Sequence, residues 1–238
     1  VPESKLTVTG RALFDEMTQA IDNSVLDRKT MLVSLGLDPD RFTVLVNVPW
    51  RSPEPGYDKW DGVRWPWEIF MQEMDFIIMT CLRNTDAQVI LHSHPGHSDE
   101  GLKPLIRDRV VIGNRYKFPD VISHADLYIT EISSTMMLAM YAGKPVNCLS
   151  YWEYDPTFTK KEYRRDMTKR FTDTGVVFSW SRAEFVLQIE SLCNDSNECE
   201  RWTAQQKDCV DKWFISDGKC AFRMAEEIMK LRGEMFRP

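Results

Sequence analysis

Short, almost purely apolar runs alternate along this chain with longer segments of helical periodicity, and that alternation restricts the fold more than any other feature. Residues 42–48 (FTVLVNV) are β-branched and apolar and lead into a proline-rich loop, and 87–95 (AQVILHSHP) stop at a proline. The runs VVIGN (110–114), DLYIT (126–130), KPVNCLS (144–150) and TGVVFSW (174–180) complete a set of about six expected strands. Between the first two, residues 65–84 space Ile69, Phe70, Met74, Ile77, Ile78, Cys81 and Leu82 as one helical face. Further helices are expected over 101–109, over 118–125 with Pro119 near the first turn, and over 133–143, stopped by Gly143. Strands with so little polar–apolar alternation are buried on both faces, which implies an α/β domain whose parallel sheet carries helices on each side. Residues 11–36 also read as helices, and everything from Ser181 onward is helical in pattern. The expected organisation is a single domain: a lead-in strand and helices (1–36), an α/β core (37–180) and a helical C-terminal tail (181–238).

Composition removes several function classes. With 43% hydrophobic and 28% charged residues in 238, the chain can bury a sizeable core. No apolar run approaches the roughly 18–20 residues that a membrane span needs. Thirty Lys and Arg against 36 Asp and Glu leave a net charge of −6, which argues against general nucleic-acid binding. The six cysteines form no C-x-x-C pair, the usage of a reduced, cytoplasmic protein. The opening VPESKLTVTG carries no secretory signal pattern and no initiator Met, so the chain is expected to be a piece of a longer protein.

Ligands of open parallel sheets sit beyond the carboxyl ends of the strands, and four of the expected post-strand loops hold reactive or binding residue types. In DLYITEISSTMM (126–137), Ser133, Ser134 and Thr135 open a helix. Hydroxyls and free N–H groups there suit an anion, although Ser and Thr also serve as plain N-caps. LHSHPGH (91–97) places three histidines in six residues. Zinc is one reading; with no cysteine or suitably spaced carboxylate nearby, a phosphate donor or a structural histidine fits better. The loop 47–67 holds four of the eight tryptophans together with Arg51, which either grips a phosphate or belongs to a loop packed on the sheet. GNRYKF (113–118) offers backbone groups and an aromatic to a base. The basic run TKKEYRRDMTKR (159–170) faces a cleft, a membrane surface or simply solvent.

Taken together, VTGRALFD (8–15), the strand FTVLVNV, VILHSHP (89–95), ADLYITEISSTMMLAMYAGKPV (125–146) and ISDGKCAFR (215–223) resemble the C-terminal, donor-binding half of a GT-B glycosyltransferase. The nearest resemblance is to CDP-glycerol glycerophosphotransferases and the transferases of capsule and lipopolysaccharide polymers. Non-hydrolysing UDP-GlcNAc 2-epimerases are more distant kin. The resemblance implies a Rossmann-like sheet and a nucleotide-activated donor whose phosphates meet Ser133, Ser134, Thr135 and Arg51. It implies a base held around Gly113, Asn114, Arg115 and Tyr116, and His94 beside the pyrophosphate. Catalytic roles fall to His94 and Glu131, with no protein-bound metal or other cofactor. The family usually places a carboxylate five residues past the first serine to hold the ribose; this chain has Leu138, so that task passes elsewhere, with Glu131 the sequence's own candidate.

The implied function is transfer of a glycosyl group to a glycan or lipid-linked acceptor in polysaccharide biosynthesis, in the cytoplasm or at the membrane periphery. The resemblance places the acceptor site on an upstream domain, which is expected to be missing from this chain. A nucleotide-sugar 2-epimerase and a non-catalytic donor-like module are the alternatives. The serine pair gives the first prediction. Replacing Ser133 and Ser134 together with Ala removes hydrogen bonds to a charged group worth ~1.5–3 kcal/mol each, so calorimetry is expected to show weakened nucleotide binding with the fold retained.

Overall fold

The computed structural model describes residues 12–48, 67–84, 86–93, 99–151, 175–213 and 217–235. In chain order the elements are α1 (Ala12–Asp22), α2 (Arg28–Ser34), β1 (Thr43–Val48), α3 (Trp67–Asn84), β2 (Gln88–Ser93), a 3-10 helix (Asp99–Leu105), β3 (Val110–Ile112), α4 (Phe118–His124), β4 (Leu127–Thr130), α5 (Ser134–Tyr141), β5 (Val146–Cys148), β6 (Val177–Phe178), α6 (Arg182–Asn194), α7 (Ser196–Trp213) and α8 (Cys220–Met235). The expected lead-in strand and the basic run 159–170 lie outside the described residues. Over 101–109 the expected helix is instead the 3-10 helix Asp99–Leu105. Pro104 inside it has no N–H to donate, and a short tight turn needs fewer such bonds than an α-helix.

All six strands are parallel, in the order β3-β2-β1-β4-β5-β6. Alternation along each strand sorts side chains to opposite faces, and both faces are apolar. Val44, Val46, Val89, Leu91, Leu127 and Ile129 pack with α3 and α6 through Phe70, Met74, Ile77, Phe185 and Ile189. Leu45, Ile90 and Tyr128 pack on the other side with α2, α4, α5 and α7 through Met31, Leu32, Val121, Met136 and Val210. Each side chain of this size buried in full contributes about 1.5–3 kcal/mol of transfer free energy. The two layers therefore explain why the strand sequences are apolar at odd and even positions alike. The result is an α/β, Rossmann-like domain. No helix among the described residues is long and apolar enough to cross a membrane.

Local signals set where the helices start and stop. Asp27 caps α2 by accepting from the Thr30 N–H at 2.9 Å. After α5, Gly143 takes a left-handed φ of 68°. This lets Lys144 N bond Ala139 O at 2.9 Å and Gly143 N bond Met140 O at 3.0 Å, so the last carbonyls are satisfied and the chain turns into β5.

At the amino edge of the sheet, Arg28 and Asp126 join four elements. The guanidinium meets both carboxylate oxygens, at 2.8 and 3.1 Å, and also donates to the carbonyls of Pro39, Arg41 and His124. Asp126 accepts the Thr43 N–H at 2.7 Å, so the starts of β1 and β4 share one carboxylate. Both side chains are about a third exposed (30% and 32%), so solvent screens part of the attraction. Asp126→Ala would leave Arg28 without its counter-ion and Thr43 without its acceptor. The expected loss is about 2 kcal/mol, read as a lower urea midpoint with an unchanged m-value.

Candidate functional site

Strand order reverses direction between β1 and β4, and the carboxyl edge opens there. Asn47, the penultimate residue of β1, donates through Nδ2 to Thr130 Oγ1 at the end of β4, 3.2 Å away. A run of hydroxyls continues from that bond into α5. Thr130 Oγ1 lies 3.4 Å from Ser133 Oγ, Ser133 Oγ lies 2.5 Å from Thr135 Oγ1, and Thr135 Oγ1 lies 2.6 Å from the Tyr128 hydroxyl. Tyr128 is fully buried, and burial drives its hydroxyl to ionise far above its ordinary pH, so it stays protonated and available to donate. Ser133 stands at the N-cap of α5 in extended conformation, yet its hydroxyl makes no capping bond. The hydroxyl is drawn to Thr135 instead, which leaves the first-turn N–H groups of α5 without a side-chain cap.

A cavity of about 880 Å³ lies over this edge. Asn47, His92 and Ser93 floor it from the ends of β1 and β2, and Thr135 lines it from α5. Residues 114–119 form one wall and Glu16, Met17 and Ala20 of α1 another. The wall 114–119 is braced from behind. Gly113 N bonds Leu91 O at 2.8 Å, and any Cβ at Gly113 would stand 2.5 Å from Ile90 Cγ2, so only glycine lets the chain pass this close to β2. Asn114 is committed on both sides of its amide. Its Oδ1 accepts the Ser93 N–H at 2.9 Å, and its Nδ2 donates to Ser93 Oγ and Asp99. Arg115 Nη2 donates to Ser34 Oγ at 2.8 Å and its guanidinium lies 5.2 Å from the Tyr116 ring centroid. The Tyr116 hydroxyl meets the same Ser34 Oγ at 2.6 Å.

His92 Nε2 lies 3.2 Å from Tyr116 O, and the ring stands edge-on to Phe118 with centroids 5.7 Å apart. Burial holds the imidazole below its ordinary pKa, against the opposing pull of the Tyr116 carbonyl and Asp99. A neutral imidazole that gives its Nε2 proton to a carbonyl has only a lone pair on Nδ1. His92 therefore supports the wall and offers no donor to a phosphate.

Of the residues singled out in the sequence, the structure brings Asn114, Arg115, Tyr116 and Thr135 to one cavity. Ser133 reaches it through its bond to Thr135, and Ser134 is exposed on the first turn of α5. Gly113 acts behind the wall, and Glu131 is half-buried and is not among the lining residues. His94 and Arg51 lie outside the described residues. Asn47 and Glu16 were not legible as site residues. Asn47 had one signal, a polar side chain where an apolar strand meets its loop; Glu16 had none, since it reaches the cavity only through the packing of α1. Among the described residues, Asp15, Asp217 and Cys220 come close enough together to suggest a cation site. Their bonds account for them otherwise. Asp15 accepts the N–H groups of Gly218 (3.2 Å) and Cys220 (2.6 Å) at the start of α8, and Arg223 pairs with Asp217 at 2.7 Å.

No protein-family model matches the sequence, and no curated protein matches it either. Solved structures match the whole fold. A putative UDP-N-acetylglucosamine 2-epimerase from Listeria monocytogenes superposes with a TM-score of 0.63 at 14% identity, over 100% of this chain and 56% of that one. The MnaA–UDP co-structure from S. aureus gives 0.61 at 16% identity, over 98% and 56%. The wall teichoic acid polymerase TagF gives 0.56 at 14% identity, over 100% and 54%. The chain thus spans about half the length of these proteins, and at such identities the likeness is one of fold: the GT-B fold that glycosyltransferases share with nucleotide-sugar epimerases.

Proposed function

We propose that this chain is the donor-binding half of a GT-B glycosyltransferase that uses a nucleotide-activated donor to build a surface polysaccharide or related glycan. The observation that carries the reading is the 880 Å³ cavity at the β1/β4 switch, where the uncapped start of α5 and its hydroxyls face a wall containing Arg115 and Tyr116. Phosphates take the α5 end, where N–H groups and the helix dipole meet negative charge. The base takes the 114–118 wall, with Tyr116 and the guanidinium of Arg115 as flat partners. The leaving nucleotide's charge is stabilised by Thr135, Ser133, Ser134 and the α5 amides, with His94 and Arg51 added from their loops. No metal or other cofactor enters this reading.

Glu131 has the chemistry for orienting a ligand and lacks the placement for deprotonating a remote acceptor, which requires hydrogen-bond reach. General-base work and the acceptor, glycan or lipid-linked, therefore belong to an upstream domain. The neighbours' UDP and CDPG complexes fit a cytoplasmic donor chemistry of this kind. The same fold serves 2-epimerisation of a nucleotide sugar, so a second reading stands beside the first. A non-catalytic donor-like module would bind without turnover even when joined to its other half.

The reading is tested by melting the protein against CDP, UDP, GDP and CMP. A ligand present at ten times its Kd stabilises the native state by about 1.4 kcal/mol, which for a chain of this size raises Tm by roughly 3–6 °C. The shift is expected with at least one nucleoside diphosphate and is expected to shrink in the Ser133→Ala, Ser134→Ala protein. No shift with any nucleotide at millimolar concentration would end the proposal. For the activity itself, these 238 residues alone are expected to give little or no transfer, and addition of the upstream domain to restore it. NMR of a UDP-GlcNAc incubation separates the two enzymes, because an epimerised sugar appears only under the second reading.

A further inference from the structure

The cavity holds three carboxylates, and their partners distinguish them. Asp99 accepts from Asn114, and Glu100 pairs with Lys103 at 2.6 Å. Glu16 makes no hydrogen bond or ion pair among the described residues, although it lines the same space.

Its place is well defined by the helix that carries it. Helix α1 packs on both α4 and α5. Asp22, at its carboxyl end, accepts from the Tyr141 hydroxyl at 2.7 Å, level with the last residue of α5. Six residues earlier on α1, Glu16 lines the same cavity as Thr135 of the first turn of α5. Across α1 on the other side, Phe118 and Pro119 open α4 and belong to the 114–119 wall. Both ends of α1 are held, the amino end by Asp15 on the N–H groups of Gly218 and Cys220 and the carboxyl end by Asp22. Glu16 is thus presented, on a fixed backbone, between the hydroxyl-rich end of the cavity and its aromatic end.

We infer that Glu16 is the specificity-determining residue that recognises the ribose of a nucleotide through its vicinal hydroxyls, an inference that rests on the nucleotide-binding reading above. A carboxylate only accepts hydrogen bonds and repels phosphates, so a ligand entering this cavity must turn neutral donors toward it. A nucleotide with its phosphates at α5 and its base at Tyr116 has its ribose beneath α1, and a cis-diol offers two O–H donors to two oxygens. No other cavity residue repeats this arrangement. Leu138 is buried in the core beneath α5 at 1% exposure, and Glu131 lies outside the lining.

Calorimetry with UDP and CDP, their 2′-deoxy and 3′-deoxy forms, and the wild-type and Glu16→Ala proteins tests the inference. Glu16 is solvent-exposed, so the variant is expected to keep the wild-type Tm. The wild type is expected to bind the ribonucleotide roughly tenfold more tightly than either deoxy form, the size of one charge-assisted hydrogen bond. In Glu16→Ala the ribo and deoxy forms are expected to bind within about twofold of each other, with Glu16→Gln intermediate. Equal binding of ribo and deoxy forms by the wild type, or a ribo preference that survives in Glu16→Ala, overturns the assignment while the nucleotide reading stands. A change in UDP against CDP preference with the ribo preference intact overturns it too, and puts the carboxylate on the base. Failure of the wild type to bind any of these nucleotides overturns both the assignment and the reading beneath it.

Discussion

The pairing of β1 with β4 is the constraint on which the rest of the molecule depends. It is the seam at which the sheet changes direction, and the chain between the two strands travels through α3, β2, β3 and α4 before returning. Such a long closure is entropically costly before its contacts form, and the seam is secured at both ends. Arg28 and Asp126 hold the amino ends of the two strands, and Asn47 and Thr130 tie the carboxyl ends at 3.2 Å. The first pair holds the sheet and makes no contribution to the cavity. Of the second pair, Asn47 lies in the floor of the cavity, so a residue that closes the seam also begins the candidate site.

From that floor, polarity is organised so that the hydroxyls are partnered with one another while the first turn of α5 has no side-chain cap. Thr130, Ser133, Thr135 and Tyr128 bond to one another, which satisfies a phenol buried at 0% exposure. Because Ser133 is spent in this way, α5 begins without the side-chain cap that its sequence would lead one to expect. An uncapped helix start costs of order 1 kcal/mol relative to a capped one. An anion at that position recovers the loss, so the arrangement suits a site better than it suits a purely structural turn.

Most of the fold was legible because it rests on local signals that survive packing. Six apolar runs, Gly143 after α5 and Pro119 at the start of α4 each say what they do, and the absence of alternation correctly announced helices on both faces. The 3-10 helix at 99–105 was misread because helical periodicity cannot report the hydrogen bond that Pro104 lacks. The cavity lining was legible only where its residues sit beside strand ends in sequence, as Asn114 to Tyr116 and Thr135 do. Asn114 shows the limit. The family resemblance puts it among the residues around a base, and the structure commits its side-chain amide to Ser93 and Asp99. Whether a polar side chain faces a ligand or braces a wall depends on partners distant in sequence, and no spacing rule carries that information.

The α1 wall makes this dependence physical. One face of the helix brings Glu16, Met17 and Ala20 to the cavity, while another turns Asp15 inward to hold the start of α8, 205 residues away at Cys220. The two faces of one short helix thus join the tail of the chain to the lining of the site. Asp15 is buried at 6% exposure and gives both carboxylate oxygens to N–H groups, so α1 cannot rotate to bring a different face to the cavity without stranding that charge. Tail and cavity wall are therefore set together: the carboxylate that anchors α8 also fixes which side chains of α1 line the cavity.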